Sequence, residues 1–234
     1  MLESLIEQGF KALELDCDAE MLSRYRTYYE YLEEINAVMN LTAISGEQDV
    51  ARLHFLDCAA LLKQADFKGK KVIDVGTGAG FPGLPLKIAC PDIDLTLLDS
   101  LDKRVKFLRD CCEKLNLLDV NCIHCRAEEA PKEYRGGFDI ALSRAVARLN
   151  LLSELCLPMV EKGGLFIAMK GTDCAEEVKD AEKGIALLGG KVLKKVDYLI
   201  PGTDISHSAV IIKKVADTPA KYPRRWAQIK KQPL

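Results

Sequence analysis

The sequence lacks several features that define the more easily recognised protein classes. No apolar run in its 234 residues approaches the roughly 18 residues that a membrane-spanning helix needs, so we expect no membrane span. The formal net charge is only −2, which leaves a local basic patch as the way to attract a nucleic acid. No internal repeat or low-complexity segment is visible. With 48% hydrophobic and 29% charged residues, the composition is typical of a globular protein with one substantial core and a smaller appendage.

Cysteine is not scarce, since the chain has nine, but no disulfide framework is expected. A chain of this length does not need disulfides, and it begins Met-Leu-Glu-Ser rather than with a basic segment and an apolar run. We therefore expect a protein of the reducing cytoplasm. Cys122 and Cys125 form a CxxC pattern, but they lie in a predicted strand and would point to opposite faces, so no metal site is predicted.

Proline is absent from residues 1–68, and apolar residues recur there at helical spacing. Two helical runs precede a break at Asn40 to Gly46, and a third helix is predicted from about Glu47 to Lys63. We interpret His54 in that helix as a hydrogen-bonded packing residue. The segment 1–68 is therefore predicted to be a helical N-terminal extension.

The stretch from Lys71 to Leu86 predicts the centre of the fold. Val72, Ile73 and Val75 form a short apolar run of the kind found in a strand that is buried on both faces. Glycines follow at every second position, which allows the backbone to turn sharply and to approach a ligand closely. Proline then permits a helix to start but not to continue, so the order is strand, glycine-rich turn and helix. The three glycines are Gly76, Gly78 and Gly80.

Two cofactor classes use this arrangement. Residues 78–83 spell the dinucleotide pattern G-x-G-x-x-G, but they begin two residues too late, because Gly76 already follows the strand. Pro82 and Pro85 also remove backbone donors that a pyrophosphate would need at the helix start. Asp74 suits a ligand with positive charge, such as the ammonium and sulfonium groups of S-adenosylmethionine. The pattern resembles the first motif of class I methyltransferases.

Downstream, strands and helices alternate, which predicts a parallel sheet with helices on both faces. The last two extended runs, Lys191 to Ile200 and Ser208 to Val215, are joined by a link too short for a crossover helix, so they must pair antiparallel. We predict a mostly parallel seven-stranded α/β sheet with one antiparallel strand, the class I methyltransferase (Rossmann-like) architecture. The predicted division is an extension over 1–68, a methyltransferase core over 69–216 and a basic tail over 217–234.

Ligands of such sheets bind at the carboxyl ends of the strands. There, Asp99 could accept the two hydrogen bonds of a ribose diol, and Ala127 and Glu128 could frame an adenine. Arg144 and Lys170 would place positive charge near the point of transfer, and we predict them as catalytic residues. The alternative for Arg144 is an ion pair with Asp99 or Glu128, and for Lys170 a solvated strand end.

Four segments of the sequence together point to one family: 74–86, 98–108, Ser143-Arg144-Ala145 and 222–234. They resemble the glucose-inhibited division protein B family of bacterial small-subunit ribosomal RNA guanine-N7 methyltransferases. The resemblance covers essentially the whole chain and rests most on the doubled proline of the glycine loop and on a Pro-Arg tail. Where the family commonly has Pro-Gly in the tail, this chain has Trp226 and Ala227.

The resemblance implies that S-adenosylmethionine is held by Gly76, Phe81, Ala127, Glu128 and Arg144. It also implies methyl transfer to a guanosine N7 in small-subunit ribosomal RNA, with the RNA, the small subunit or an assembly intermediate as partner. We expect a monomer.

The tail has its own interpretation. Residues 213–234 contain seven basic residues and one acid, interleaved with aromatic residues and with prolines that favour an extended chain. This pattern predicts RNA binding, with a solvated terminus as the alternative. The predicted RNA-binding residues are Lys221, Arg224, Arg225, Trp226, Lys230 and Lys231.

Other functions stay open at this point: an NAD-dependent oxidoreductase, a methyltransferase for a small molecule or another RNA position, and a catalytically silent RNA-binding protein. No histidine or carboxylate pair is recognisable as placed for general-base catalysis, because His124 falls within a strand and His207 beyond the last link. Guanine N7 needs none, since its lone pair is unprotonated at neutral pH.

Overall fold

A computed structural model describes residues 1–144 and 147–234. Ala145, the last residue of the Ser143-Arg144-Ala145 motif, lies outside the described residues. The N-terminal region contains two regular helices and one composite helical segment, α3, which includes a π-helical stretch at Val50–Leu56. The bounds of this region are α1 Leu2–Ala12, α2 Ala19–Met39 and α3 over residues 47–63. The predicted third helix is therefore confirmed at both ends.

The rest of the chain alternates between strands and helices, as predicted. The strands are β1 Lys71–Val75, β2 Asp94–Asp99, β3 Val120–His124, β4 Phe138–Arg144, β5 Val160–Lys170, β6 Gly190–Leu199 and β7 Ser206–Lys214. The helices are α4 Gly83–Ala89, α5 Asp102–Lys114, α6 Leu149–Cys156, α7 Ala175–Leu187 and α8 Trp226–Lys231.

The seven strands form one sheet in the order β3-β2-β1-β4-β5-β7-β6. The first five strands pair in parallel, whereas β7 pairs antiparallel with both β5 and β6. The prediction of a mostly parallel sheet with one reversed strand is confirmed. The strand order reverses at β1, between β2 and β4, so the ligand-binding crevice is expected at the carboxyl ends of these strands.

One face of the sheet is covered by the N-terminal helices. Tyr25, Tyr28 and Phe55 of that region are fully buried and share an apolar core with sheet residues such as Val72 and Leu95. The other face carries α6, α7 and the C-terminal tail, with Ile229 of α8 fully buried. The boundaries at residues 68 and 216 stay a prediction, but the helices of the first segment form a wall of the crevice. No helix among the described residues is both long and apolar enough to cross a bilayer.

Candidate active site

The glycine loop begins directly after β1. Gly76 and Thr77 donate their backbone N–H groups to the carbonyl of Leu98 in the neighbouring strand, at 2.8 and 3.2 Å. Gly78 and Gly80 both have positive φ, +63° and +101°, but their surroundings differ. A Cβ on Gly80 would lie 2.7 Å from the Tyr28 hydroxyl, whereas a Cβ on Gly78 would meet no heavy atom within 4 Å. The space above Gly78 is therefore open to a ligand.

Asp74 holds the two ends of this loop together. Its Oδ2 accepts hydrogen bonds from the Thr77 hydroxyl at 2.7 Å and from the backbone N–H of Gly83 at 2.8 Å. Its Oδ1 has no hydrogen-bond partner in the described part of the chain. Burial raises the pKa of this carboxyl to about 6. A direct contact between Asp74 and a cationic cofactor stays a prediction.

Asp99 closes the loop from the end of β2. Its Oδ2 accepts a 2.9 Å hydrogen bond from the backbone N–H of Gly78 and lies 3.4 Å from Arg104 Nη1. Its Oδ1 accepts from the backbone N–H of Leu101 at 2.9 Å. The carboxylate is thus fixed beside the open glycine, where the sequence predicted a ribose acceptor.

A first cleft of about 410 Å³ lies at the carboxyl ends of β1 and β2. Its walls are Leu41, Thr42, His54, Gly76, Thr77, Gly78, Ala79, Phe81, Asp99, Ser100, Arg104 and Arg144. A second cleft, also of about 410 Å³, lies beside it. It is lined by Ile44, Leu53, His54, Asp57, Arg144, Met169, Lys170, Gly171, Ile205 and His207. His54 and Arg144 belong to both walls, so the two clefts meet at these side chains.

Arg144, at the end of β4, is held in place from several sides. Its Nη2 donates to His54 Nδ1 at 2.8 Å, and its Nη1 lies 3.2 Å from the Leu53 carbonyl and 3.3 Å from Asp57 Oδ2. The guanidinium carbon sits 4.8 Å from the ring centroid of Phe81. The alternative prediction, an ion pair of Arg144 with Asp99 or Glu128, was wrong, because Arg144 pairs with Asp57 from the N-terminal region.

His54 joins the two clefts. Since a guanidinium can only donate, Nδ1 must be the acceptor, and Nε2 must carry the proton that it shares with the Thr42 hydroxyl at 2.9 Å. The ring also stacks on Phe81, with centroids 4.1 Å apart. Burial, helped by Arg144, lowers the pKa of His54 to about 3, so the imidazole is neutral. It is a packing residue as predicted, but the sequence did not place it at the site.

Asp57 is the residue that sequence reasoning missed. Its side chain is only 1% exposed. Besides Arg144, it accepts a hydrogen bond from the Tyr198 hydroxyl at 2.9 Å and one from His207 Nδ1 at 3.0 Å. His207 and Asp57 thus form a histidine–carboxylate pair that the sequence did not reveal, while the absence of a general base stays a prediction. The only sequence signal was the helical spacing of His54 and Asp57, which places both on one face of α3.

Lys170 is not a solvated strand end. Its ammonium lies 2.7 Å from Glu177 Oε1 and 2.9 Å from the Ala147 carbonyl, and Glu177 also accepts from the backbone N–H of Leu149. These contacts join β5, α7 and the start of α6. Its ammonium therefore fixes the floor of the second cleft, while its catalytic role stays a prediction.

The comparisons with known proteins agree with this geometry. A family model described as GidB, rRNA small subunit methyltransferase G, matches residues 21–200. The ribosomal RNA small subunit methyltransferase G of Alkaliphilus oremlandii (strain OhILAs) is 46% identical over 236 residues, covering 100% of this chain and 99% of that protein. Its counterpart in Lachnoclostridium phytofermentans is 45% identical, covering 97% of this chain and 95% of that protein. The chain belongs to the GidB family.

Solved structures show the same fold at low sequence identity. TrmN from Thermus thermophilus superposes with a TM-score of 0.54 at 20% identity, covering 68% of this chain and 48% of that one. M. jannaschii TYW2, solved in complex with AdoMet, gives a TM-score of 0.55 at 11% identity, covering 68% and 75%. The class I methyltransferase fold predicted from the sequence is confirmed.

In this member of the GidB family, the residues predicted for adenine lie in a third cavity. Ala127 and Glu128 line a space of about 350 Å³ together with Tyr134 and with Tyr222 of the tail. Glu128 is 3.9 Å from Arg126. The structure thus separates these two residues from the first cleft, although all follow the carboxyl ends of neighbouring strands.

The tail is folded onto the domain rather than extended. Residues Trp226–Lys231 form α8, and Ile229 of this helix is buried against the second face of the sheet. Arg224 makes a two-pronged ion pair with Glu154, whose side chain is fully buried, at 2.8 and 2.6 Å. The other predicted basic residues stay exposed: Lys221, Arg225, Lys230 and Lys231. The prediction of an extended tail was wrong, and the RNA-binding role of Arg224 and Trp226 stays a prediction.

Proposed function

We propose that this protein transfers the methyl group of S-adenosylmethionine to N7 of a guanosine in small-subunit ribosomal RNA. One observation carries the proposal: a backbone-lined cleft and a side-chain-lined cleft meet at His54 and Arg144. A methyl donor in the first cleft and a base in the second would have their reacting atoms at this junction. The family membership supports the reaction class, since the relatives are named as ribosomal RNA small subunit methyltransferases.

The first cleft fits the cofactor in shape and in polar groups. Gly78 offers its backbone without side-chain obstruction, and Asp99 offers a fixed carboxylate for a ribose diol. Phe81 contributes an apolar wall. Ala127 and Glu128, which were predicted to frame the adenine, line the separate third cavity. S-adenosylmethionine supplies a methyl group that is activated by a sulfonium.

The second cleft fits a base that has been taken out of its stack. Ile44, Leu53, Met169 and Ile205 provide apolar surface for a planar ring, while the polar groups gather on one side. Ribosomal RNA is recognised largely through such unstacked bases and through its phosphates. The exposed cations of the tail provide a local positive surface in a chain whose net charge is −2.

The protein's contribution to the reaction is orientation rather than proton removal. N7 of guanine has an available lone pair at neutral pH, so no base must act before attack. His54 is neutral, and its Nδ1 already accepts from Arg144, which leaves it unsuited to that role. Arg144, fixed by Asp57 and Leu53, keeps the junction rigid, and holding two reactants in line is itself worth a large part of a barrier.

The test is methyl transfer from tritiated S-adenosylmethionine to ribosomal RNA from a strain that lacks the gene. Naked RNA, intact small subunits and partly assembled subunits are compared, and the labelled nucleoside is identified by reduction and aniline cleavage, which cut at 7-methylguanosine. We expect label in one nucleotide of the small-subunit RNA. Label in another nucleoside, or in a small molecule alone, would contradict the proposal, and tight binding of NADH would favour an oxidoreductase.

A further inference from the structure

His207 lines the second cleft, and one of its ring nitrogens makes no hydrogen bond within the described part of the chain. It lies near the start of β7, and its side chain is 29% exposed. Because Nδ1 is 3.0 Å from the buried Asp57 carboxylate, Nδ1 carries the proton that forms this hydrogen bond. The other nitrogen, Nε2, has no hydrogen-bond partner among residues 1–144 and 147–234. Neutral His207 therefore has an acceptor lone pair at Nε2.

The position of His207 relative to the junction indicates which group of a bound base could donate to this lone pair. His54 and Arg144 line both clefts, whereas His207 lines only the second. Arg144 and His207 bind the two oxygens of the same Asp57 carboxylate, so His207 lies beside the junction. The Watson–Crick edge of a purine is roughly at a right angle to its N7 lone pair, so a purine in the second cleft with N7 at the junction can turn that edge toward His207. On that edge guanine carries an N1–H donor, whereas adenine carries an acceptor at the same position.

We propose that His207 Nε2 accepts a hydrogen bond from N1–H of the target guanine, so that His207 selects guanine over adenine. This inference rests on the proposed function, because it takes N7 as the methylated atom. Asp57 acts through His207 as a positioning residue, since its hydrogen bond fixes the tautomer that leaves Nε2 as the acceptor.

The charges around His207 determine the pH at which the acceptor is present. The hydrogen bond to Asp57 raises the pKa of His207, while Arg144 opposes this. Tyr198 donates to the same carboxylate, His54 is neutral, and Lys170 is paired with Glu177. Protonated His207 cannot accept a hydrogen bond, so kcat/KM should fall as the pH drops through its pKa. The single-turnover rate at saturating RNA should stay nearly flat, because no proton is transferred.

The experiment measures methyl transfer to small-subunit RNA by wild type, His207→Ala, His207→Gln and, as a matched control, His124→Gln. We expect His207→Ala to lower kcat/KM about 10- to 100-fold, the usual discrimination by one base contact, with unchanged affinity for S-adenosylmethionine. His207→Gln, which can still accept, should recover part of the activity and lose the pH dependence. Asp57→Asn should move the inflection of kcat/KM to lower pH. His124→Gln, which removes a histidine that lines neither cleft, should keep the wild-type profile.

Two results would overturn the inference while leaving the proposed function intact. One is wild-type kcat/KM in both His207 variants, and the other is a wild-type kcat/KM that rises as the pH falls. If the wild-type protein methylates no RNA, the proposed function fails first and this inference fails with it. If the alanine variant is destabilised in a thermal melt, the glutamine variant decides, because it keeps a side chain of similar size.

Discussion

The two clefts have the same volume of about 410 Å³, but the chain builds them in different ways. The continuous loop 76–81 and the end of β2 form much of the first cleft, where the backbone of Gly78 is exposed to a ligand without a side chain. The second is formed by side chains from the N-terminal region, β4, β5 and the β6–β7 link. A backbone-lined cleft depends on local chain geometry, whereas a side-chain-lined cleft depends on how distant segments pack. Substitutions should therefore act locally in the first and through several partners in the second.

The largest expected effect is at the junction. Arg144→Ala should lower kcat/KM by at least about 10²-fold, because it removes the group that fixes both clefts. It should also cost about 3–5 kcal/mol of unfolding free energy, since it leaves the buried Asp57 carboxylate without its cation. Methyl-transfer kinetics and urea unfolding measure the two effects.

Arg148→Ala is the matched control for that change. Arg148 also forms an ion pair, with Asp180 at 2.8 Å, but both side chains are more than half exposed. Such pairs contribute about 0–1 kcal/mol, so its stability and activity should stay close to wild type. Equal losses of activity and stability in the two variants would show that Arg144 does not hold the two clefts in place.

The second prediction tests whether the first cleft is a backbone site. Gly78→Ala should weaken binding of S-adenosylmethionine about 10- to 100-fold, because the added methyl enters the space left for the ligand. Gly136→Ala is a close control: Gly136 has the same φ of +63° and equally open space, but it does not line the cleft. The two variants should lose similar stability, and only the first should lose affinity in a calorimetric titration. Unchanged affinity in Gly78→Ala would show that S-adenosylmethionine does not bind against this loop.

The same contrast explains how much the sequence could predict. The loop after β1 and the acid that ends β2 follow from spacing alone, because strand, turn and helix are local features. The pairing of Arg144 with Asp57, 87 positions earlier, has no local signal. His207 was placed beyond the last link and outside any strand, because β7 was predicted to begin at Ser208 rather than Ser206. Its meeting with Asp57 depends on the sheet and on α3 packing together, which no pattern in either segment encodes.

The third prediction concerns RNA binding outside both clefts. Changing Lys221, Arg225, Lys230 and Lys231 to Gln should weaken RNA binding and lower the slope of log affinity against log salt, by about 0.7–0.9 for each phosphate that is no longer neutralised. Affinity for S-adenosylmethionine should stay the same. Lys68→Gln serves as the control, because Lys68 lies just before β1, at the amino ends of the strands, whereas the clefts lie at the carboxyl ends. If the fourfold variant keeps wild-type RNA affinity and slope, the tail has only its structural role through Arg224 and Ile229.

The fourth prediction uses the raised pKa of Asp74. Because burial raises its folded-state pKa from 3.8 to about 6, ionising it costs stability. This penalty is absent below the unfolded value and complete above about pH 6, so it grows as the pH rises. Asp74→Asn has no such titration and keeps an oxygen for Thr77 and Gly83. The unfolding free energy of Asp74→Asn minus that of wild type should therefore increase by about 1 kcal/mol when the pH is raised from about 5 to about 7.5. A difference independent of pH would mean that Asp74 titrates normally.

The smallest expected effect tests whether the N-terminal helices support the first cleft as well as the second. Tyr28 and Tyr25 are both fully buried, and each donates to a backbone carbonyl, Tyr28 to Ala79 in the glycine loop and Tyr25 to Pro85 in α4. Changing either to Phe keeps the ring and removes one buried hydrogen bond, so both variants should lose about 1 kcal/mol of stability. Only Tyr28→Phe should also weaken cofactor binding, by about threefold, because only its hydroxyl holds the loop. Equal cofactor affinities in the two variants, measured by calorimetry at matched folded fractions, would mean that the loop keeps its shape without the N-terminal helices.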